Sequence, residues 1–101
     1  MLTFKPNHMN INVQSVHFKA SDQLKNHIEE KVRKLSDHSD KILRAEVILF
    51  EDGGSPANQI CEIKLAVPGN QHIVKKGAAT YEQAVSDAVA TLKKVLRERK
   101  K

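Results

Sequence analysis

Cysteine is almost absent: Cys61 is the single one in 101 residues. One thiol excludes an intramolecular disulfide and any Cys-rich zinc module, and it suits a reducing compartment. Aromatic side chains are scarce, with no Trp, one Tyr and three Phe. That is too few rings for a row of base-stacking platforms. Long apolar runs are missing as well, so no segment approaches membrane-spanning length. Residues 1–8 lack the apolar stretch of a signal peptide and show no period. A secreted, membrane-spanning or metal-cage protein is therefore disfavoured. What is present is a hydrophobic fraction of 40%, enough for one modest core in a chain of about one domain.

Charge is distributed unevenly. The chain holds 17 Lys plus Arg against 12 Asp plus Glu, a net of +5. Residues 1–71 carry nine basic and nine acidic side chains, whereas residues 72–101 carry eight basic and three acidic. The entire excess thus lies in the last third of the chain. Such asymmetry points to a polyanion partner, nucleic acid first and anionic lipid second. A Lys-rich terminus that only keeps the chain soluble fits the same numbers.

Hydropathy periods divide the chain into six elements. A strand opens at Met9, with Ile11 and Val13 apolar between Asn10, Asn12 and Gln14, and Val16 and Phe18 as further candidates. Ser21 and Asp22 supply N-cap chemistry before Leu24, Ile28, Val32 and Leu35, so a helix is predicted over 22–36. Residues 45–51 form a second strand, closed by the loop signal Asp52-Gly53-Gly54-Ser55-Pro56. A third strand over 60–67 places Cys61, Ile63, Leu65 and Val67 on one face. Pro68-Gly69-Asn70 turns the chain into a shorter strand over 71–76. From Thr80 to Arg97 the period is helical again, with Tyr81, Ala84, Val85, Ala88, Leu92, Val95 and Leu96 on the apolar side. The order β-α-β-β-β-α implies an α+β domain, a four-stranded mixed sheet with two helices packed on one face. Strands one and two are expected to be parallel, and the rest an antiparallel meander. Residues 1–8 read as a loosely ordered extension, with Met9 as a second candidate start, and residues 9–101 as one domain.

No constellation for catalysis stands out. Glu29 and Glu30 are adjacent and diverge on a helix. Ser21 and Ser86 lack a nucleophile context, and Gly53-Gly54 lacks the lysine-terminated phosphate-loop pattern. The five His residues show no metal spacing, and Cys61 reads as an inert core thiol. No enzyme activity, metal or cofactor is expected. Cations are the stronger signal. At 100° per residue, Lys93, Lys94, Arg97, Lys100 and Lys101 share the polar side of the second helix. On the first, His27, Lys31, Lys34 and His38 form one stripe beside the apolar face, while Lys25 and Arg33 lie elsewhere. Several cations on a rigid element suit phosphate contacts without base readout.

Taken together, certain runs resemble a known family. They are Met9-Asn10-Ile11-Asn12-Val13, Ser21-Asp22-Gln23-Leu24, Ile28, Lys31, Lys34-Leu35 and Asp40-Lys41-Ile42 leading into Val47-Ile48-Leu49. An aromatic opening the last helix, Leu92-Lys93-Lys94-Val95-Leu96 and a Lys-rich finish complete the pattern. Over residues 9–101 the sequence is similar to the ribosome hibernation promoting factors, a family that includes the short ribosome-associated inhibitors and was once called the sigma-54 modulation proteins. The resemblance implies a fold like that of double-stranded-RNA-binding domains. It also implies a short form, without a C-terminal dimerisation domain or an acidic tail. Lys25, Lys31, Lys34, Lys41, Lys94 and Lys100 stand where the family commonly has Lys or Arg. Lys75, Lys76, Lys93, Arg97 and Arg99 join them from local charge. Glu98 departs from the pattern, standing where a basic residue is common, and Tyr81 is one position from the family aromatic's commonest place.

The implied partner is the small ribosomal subunit and its rRNA, with no membrane and no small-molecule substrate. The implied action is occlusion of the channel used by messenger and transfer RNA, which stabilises idle ribosomes under stress in a bacterial cytoplasm. The protein is expected to be monomeric off the ribosome. A free-standing double-stranded-RNA binder or a partner-binding regulatory module is the alternative on the same helices.

Overall fold

The computed structural model describes residues 10–37, 42–53 and 58–99. Along them run β1 (Asn10–Ser15), α1 (Asp22–Arg33), a 3₁₀ turn (Lys34–Asp37), β2 (Arg44–Glu51), β3 (Gln59–Val67), β4 (Asn70–Ala78) and α2 (Tyr81–Arg99). The strands lie in the order β1-β2-β3-β4 in one sheet. β1 pairs with β2 in parallel, from Asn10 opposite Arg44 to Ser15 opposite Leu49. β2–β3 and β3–β4 are antiparallel, with Val47 opposite Ile63 and Ile63 opposite Val74. This is the α+β architecture expected from the periods.

Local chemistry explains the boundaries. Ser21 accepts at Oγ from the Leu24 backbone N–H at 3.1 Å, which caps α1. Thr80 does the same for Gln83 at 3.2 Å and starts α2. The sequence period runs to Ser36, but the α-helix ends at Arg33 and tightens into the 3₁₀ turn. That turn keeps Leu35 fully buried. β1 stops at Ser15, whose hydroxyl donates to the Phe18 carbonyl at 2.7 Å and fixes a turn. Val16 and Phe18 therefore lie beyond the strand. Pro68-Gly69 joins β3 to β4, and Gly69 has φ 76°, a conformation in which glycine pays no Cβ penalty.

One sheet face is buried and the other is open. Ala45, Val47 and Leu49 of β2 and Cys61, Ile63 and Leu65 of β3 alternate into the core. They meet Leu24, Ile28 and Val32 of α1 and Ala84, Val85, Ala88, Val89, Leu92 and Leu96 of α2. Val89 completes the α2 face, although it was not among the expected apolar positions. Val95 is only half-buried. On the open face stand Asn12, Gln14, Glu46, Ile48, Glu62, Lys64, Ile73 and Lys75.

The topology fixes the helix directions. α1 crosses between two parallel strands, so it runs back along them. α2 follows β4 after a two-residue connection and packs along β4 and β3, so it also runs back. β4 is parallel to β1, being two antiparallel steps from β2. Both helices consequently point the same way. Their C-terminal ends lie together at the sheet end where β1, β2 and β4 begin.

Candidate nucleic-acid interface

That shared end collects cations. Lys31 and Arg33 occupy the last turn of α1, and Lys34 opens the 3₁₀ turn that follows. Arg44 begins β2 at the same end. Lys93, Lys94 and Arg97 occupy the second half of α2. Lys34, Arg44, Lys94 and Arg97 are exposed, while Lys31 and Lys93 are half-buried, their stems lying along the rim of the core. Arg33 belongs to this end by position, although the sequence pattern did not single it out, whereas Arg44, next to buried Ala45, projects from the open face of the sheet at the same end.

Few of these charges are neutralised locally. Among the described residues the ion pair formed is Arg33 with Glu29, at 3.9 Å and well exposed. An exposed pair one helical turn apart is worth a fraction of a kcal/mol and holds neither partner firmly. Lys31, Lys34, Lys93, Lys94 and Arg97 make no ion pair with another described side chain. Two aligned helix ends with unpaired ammonium and guanidinium groups can hold successive phosphates of a nucleic-acid backbone. This arrangement positions the strand without reading its bases.

The remaining expected contacts scatter. Lys25 is exposed, but it sits on α1 across the buried face from Lys31 and Lys34, toward the helix N-terminus. Lys75 and Lys76 are split by the strand pleat. Lys76 pairs in register with buried Cys61 and lies on the helix side, whereas Lys75 pairs with Glu62 on the open face. Lys75 places its ammonium 6.0 Å from the Phe50 ring centroid. One flat surface therefore cannot engage Lys75 together with the α2 cations. Lys41, Lys100 and His38 lie outside the described residues.

The histidines behave differently from the surface stripe read in the sequence. His27 and His72 are half-buried, and the Nε2 atom of each is out of solvent with no hydrogen-bond partner among the described residues. The packed flank of α1 and the helix side of β4 turn these nitrogens inward. Cys61 is fully buried, and burial first, then the nearby Glu62 carboxylate, pushes its thiol up to about 12. It is not a poised nucleophile. Among the described residues no group of three or more His, Cys, Asp or Glu side chains is arranged to hold a metal ion, and no helix is long and apolar enough to cross a membrane.

Residues 11–101 match the family described as sigma 54 modulation protein / S30EA ribosomal protein. The chain belongs to this family. Its members are ribosome-associated factors. Solved structures agree on the fold. The N-terminal domain of Protein Y from Thermus thermophilus is 25% identical, with a TM-score of 0.78 over 89% of this chain and 98% of that one. A ribosomal subunit interface protein from Coxiella burnetii is 17% identical, with a TM-score of 0.80 over 91% of this chain and 98% of that one. At that identity the second likeness shows the fold alone. No curated protein matches this chain. The family resemblance read from the residues is thus borne out, together with its fold.

Proposed function

We propose that this chain binds the small ribosomal subunit through rRNA phosphates in the channel that messenger and transfer RNA use, and that it inhibits translation by occupying that channel. Binding to a site the substrates need requires no chemistry of its own. Occupancy stabilises idle ribosomes by mass action, as any ligand of one state does. The observation that carries this reading is the joint basic end of the two helices, where Lys31 and Lys34 stand with Lys93, Lys94 and Arg97 and without acidic partners among the described residues. Family membership supports the ribosome as the polyanion. A cytoplasmic, ribosome-associated location in a bacterium, a role in stress and a monomeric free state go with this reading.

Charge reversal on each helix tests it. Lys31→Glu with Lys34→Glu, and separately Lys94→Glu with Arg97→Glu, are expected to weaken co-sedimentation with small subunits and inhibition of cell-free translation together. Circular dichroism serves as the folding control. The two losses should add if the pairs stand more than about 10 Å apart and hold different phosphates. If the first-helix variant binds and inhibits like the parent, the shared surface is wrong, and the terminal helix acts alone as a nonspecific polyanion binder.

A further inference from the structure

The opposite end of the molecule has a different chemistry. Of the four aromatic residues in the chain, three meet there around one cleft: Phe18 from the turn after β1, Phe50 near the end of β2 and Tyr81 at the start of α2. The cleft holds about 540 Å³, and His17 and Glu51 also line it. Phe18 and Tyr81 stack with centroids 4.9 Å apart and planes 10° from parallel. The turn that presents Phe18 is specialised. His17 takes φ 68°, a left-handed conformation uncommon for a side-chain-bearing residue, and the Ser15 hydroxyl locks the turn on the Phe18 carbonyl. Glu51 lines the cleft together with both stacked rings, and burial, then this carboxylate, raises the Tyr81 phenol above its ordinary range.

The local field selects the occupant. Asp22, Glu51, Asp52 and Glu82 stand at this end against Lys19, Lys25, Lys75 and Lys76, so the end as a whole is balanced, but the lining of the cleft itself holds the Glu51 carboxylate and, among the described residues, no Lys or Arg. That lining disfavours phosphate and attracts a cation. The aromatic faces here already accept one, since the Lys75 ammonium lies over Phe50. A second cation entering the cleft would meet ring faces and a carboxylate together. A planar, weakly hydrated guanidinium suits that pair of surfaces better than an ammonium does.

We propose that this cleft binds an arginine side chain of a cationic partner polypeptide, with the guanidinium against the Phe18–Tyr81 stack and in a charged hydrogen bond with Glu51. The site is separate from the basic end, so its occupancy does not depend on what that end binds. The whole molecule would then present two recognition ends: one for phosphates and one for a basic peptide segment.

The test is an amide chemical-shift titration of the isotope-labelled full chain. The probes are the peptide acetyl-Gly-Arg-Gly-amide, its Ala counterpart, its Lys counterpart and uridine monophosphate. The Arg peptide is expected to move amides of residues 16–18, 50, 51, 59 and 81, with the Lys peptide weaker and the Ala peptide silent. Glu51→Gln, at an exposed strand end, should melt like the parent and bind the Arg peptide about threefold to tenfold more weakly. Tyr81→Phe, which keeps the stack, should retain binding. Equal shifts from Arg and Ala peptides, no shift at these residues, or an unchanged affinity in Glu51→Gln would overturn the proposal. So would uridine monophosphate moving the same amides more strongly than the Arg peptide, because the cleft would then be a nucleobase site.

Discussion

Leu92 and Lys94 stand two residues apart on α2 and face opposite ways, one fully buried and one exposed. Leu92→Ala removes a side chain at the contact of helix and sheet and is expected to cost about 2–5 kcal/mol. Lys94→Ala removes only a solvated stem and should change stability by less than about 0.5 kcal/mol. Urea denaturation of the two variants measures both. Cys61 makes a prediction in pH. In the unfolded chain its thiol ionises near the ordinary 9.0, and in the folded chain only near 12. Between those values the unfolded state has lost a proton that the native state keeps, so stability falls as pH rises. Cys61→Ala should show a shallower decline from pH 9 upward than the parent in denaturant midpoints. Other groups titrate equally in both proteins, so the difference reports Cys61. The inward role of this thiol was legible in the sequence because Cys61 alternates with Ile63 and Leu65. The inward nitrogens of His27 and His72 were not. A histidine beside an apolar stripe has the same spacing whether its ring lies in water or under a neighbouring element.

Strand and helix periods carried most of the fold. β2 and β3 alternate cleanly, and α1 announces itself by Ser21 followed by four apolar positions at helical spacing. The hydroxyl of Ser21 bonds an otherwise unpaired helical N–H, so Ser21→Ala is expected to cost about 1 kcal/mol, read as a lower thermal or denaturant midpoint. β4 was harder to delimit. Its length to Ala78 is set by pairing with β3, from Val67 opposite Asn70 to Gln59 opposite Ala78, and not by its own mixed Lys75-Lys76-Gly77 sequence. Pairing also decides what adjacent lysines can do together. Charge runs group Lys75 with Lys76, but strand pleating sends them to opposite sides of the sheet. The candidate surface was therefore partly visible: the α2 cations follow from helical period alone. That the end of α1 joins them is a consequence of topology. Convergence of Phe18, Phe50 and Tyr81 is a long-range fact, since each lies some thirty residues from the next.

At the scale of the whole molecule, charge is polarised along the strand direction. A surface that holds roughly six phosphates should lose affinity steeply with salt, with a log–log slope near about −4 if the rRNA behaves as single strands. Binding to purified small subunits across a salt series measures it. A flat dependence would replace the electrostatic reading with an apolar protein contact. The common direction of α1 and α2 has its own consequence. Peptide dipoles within a helix add, leaving about half a negative charge at each C-terminus and half a positive charge at each N-terminus. In an antiparallel pair these poles alternate from end to end. Here they coincide, so each end of the helical layer carries close to one full unit of backbone charge. The side chains are arranged against it. Lys31 and Arg33 stand in the last turn of α1 and Arg97 near that of α2, while Asp22 and Glu82 stand in the first turns. The lysines and arginines of the proposed interface therefore also neutralise the molecule's own backbone, and the acids in the first turns do the same for the opposite pole. The proposed phosphate contacts and helix stability draw on one set of charges, which ties the direction in which the chain folds to where a polyanion would dock.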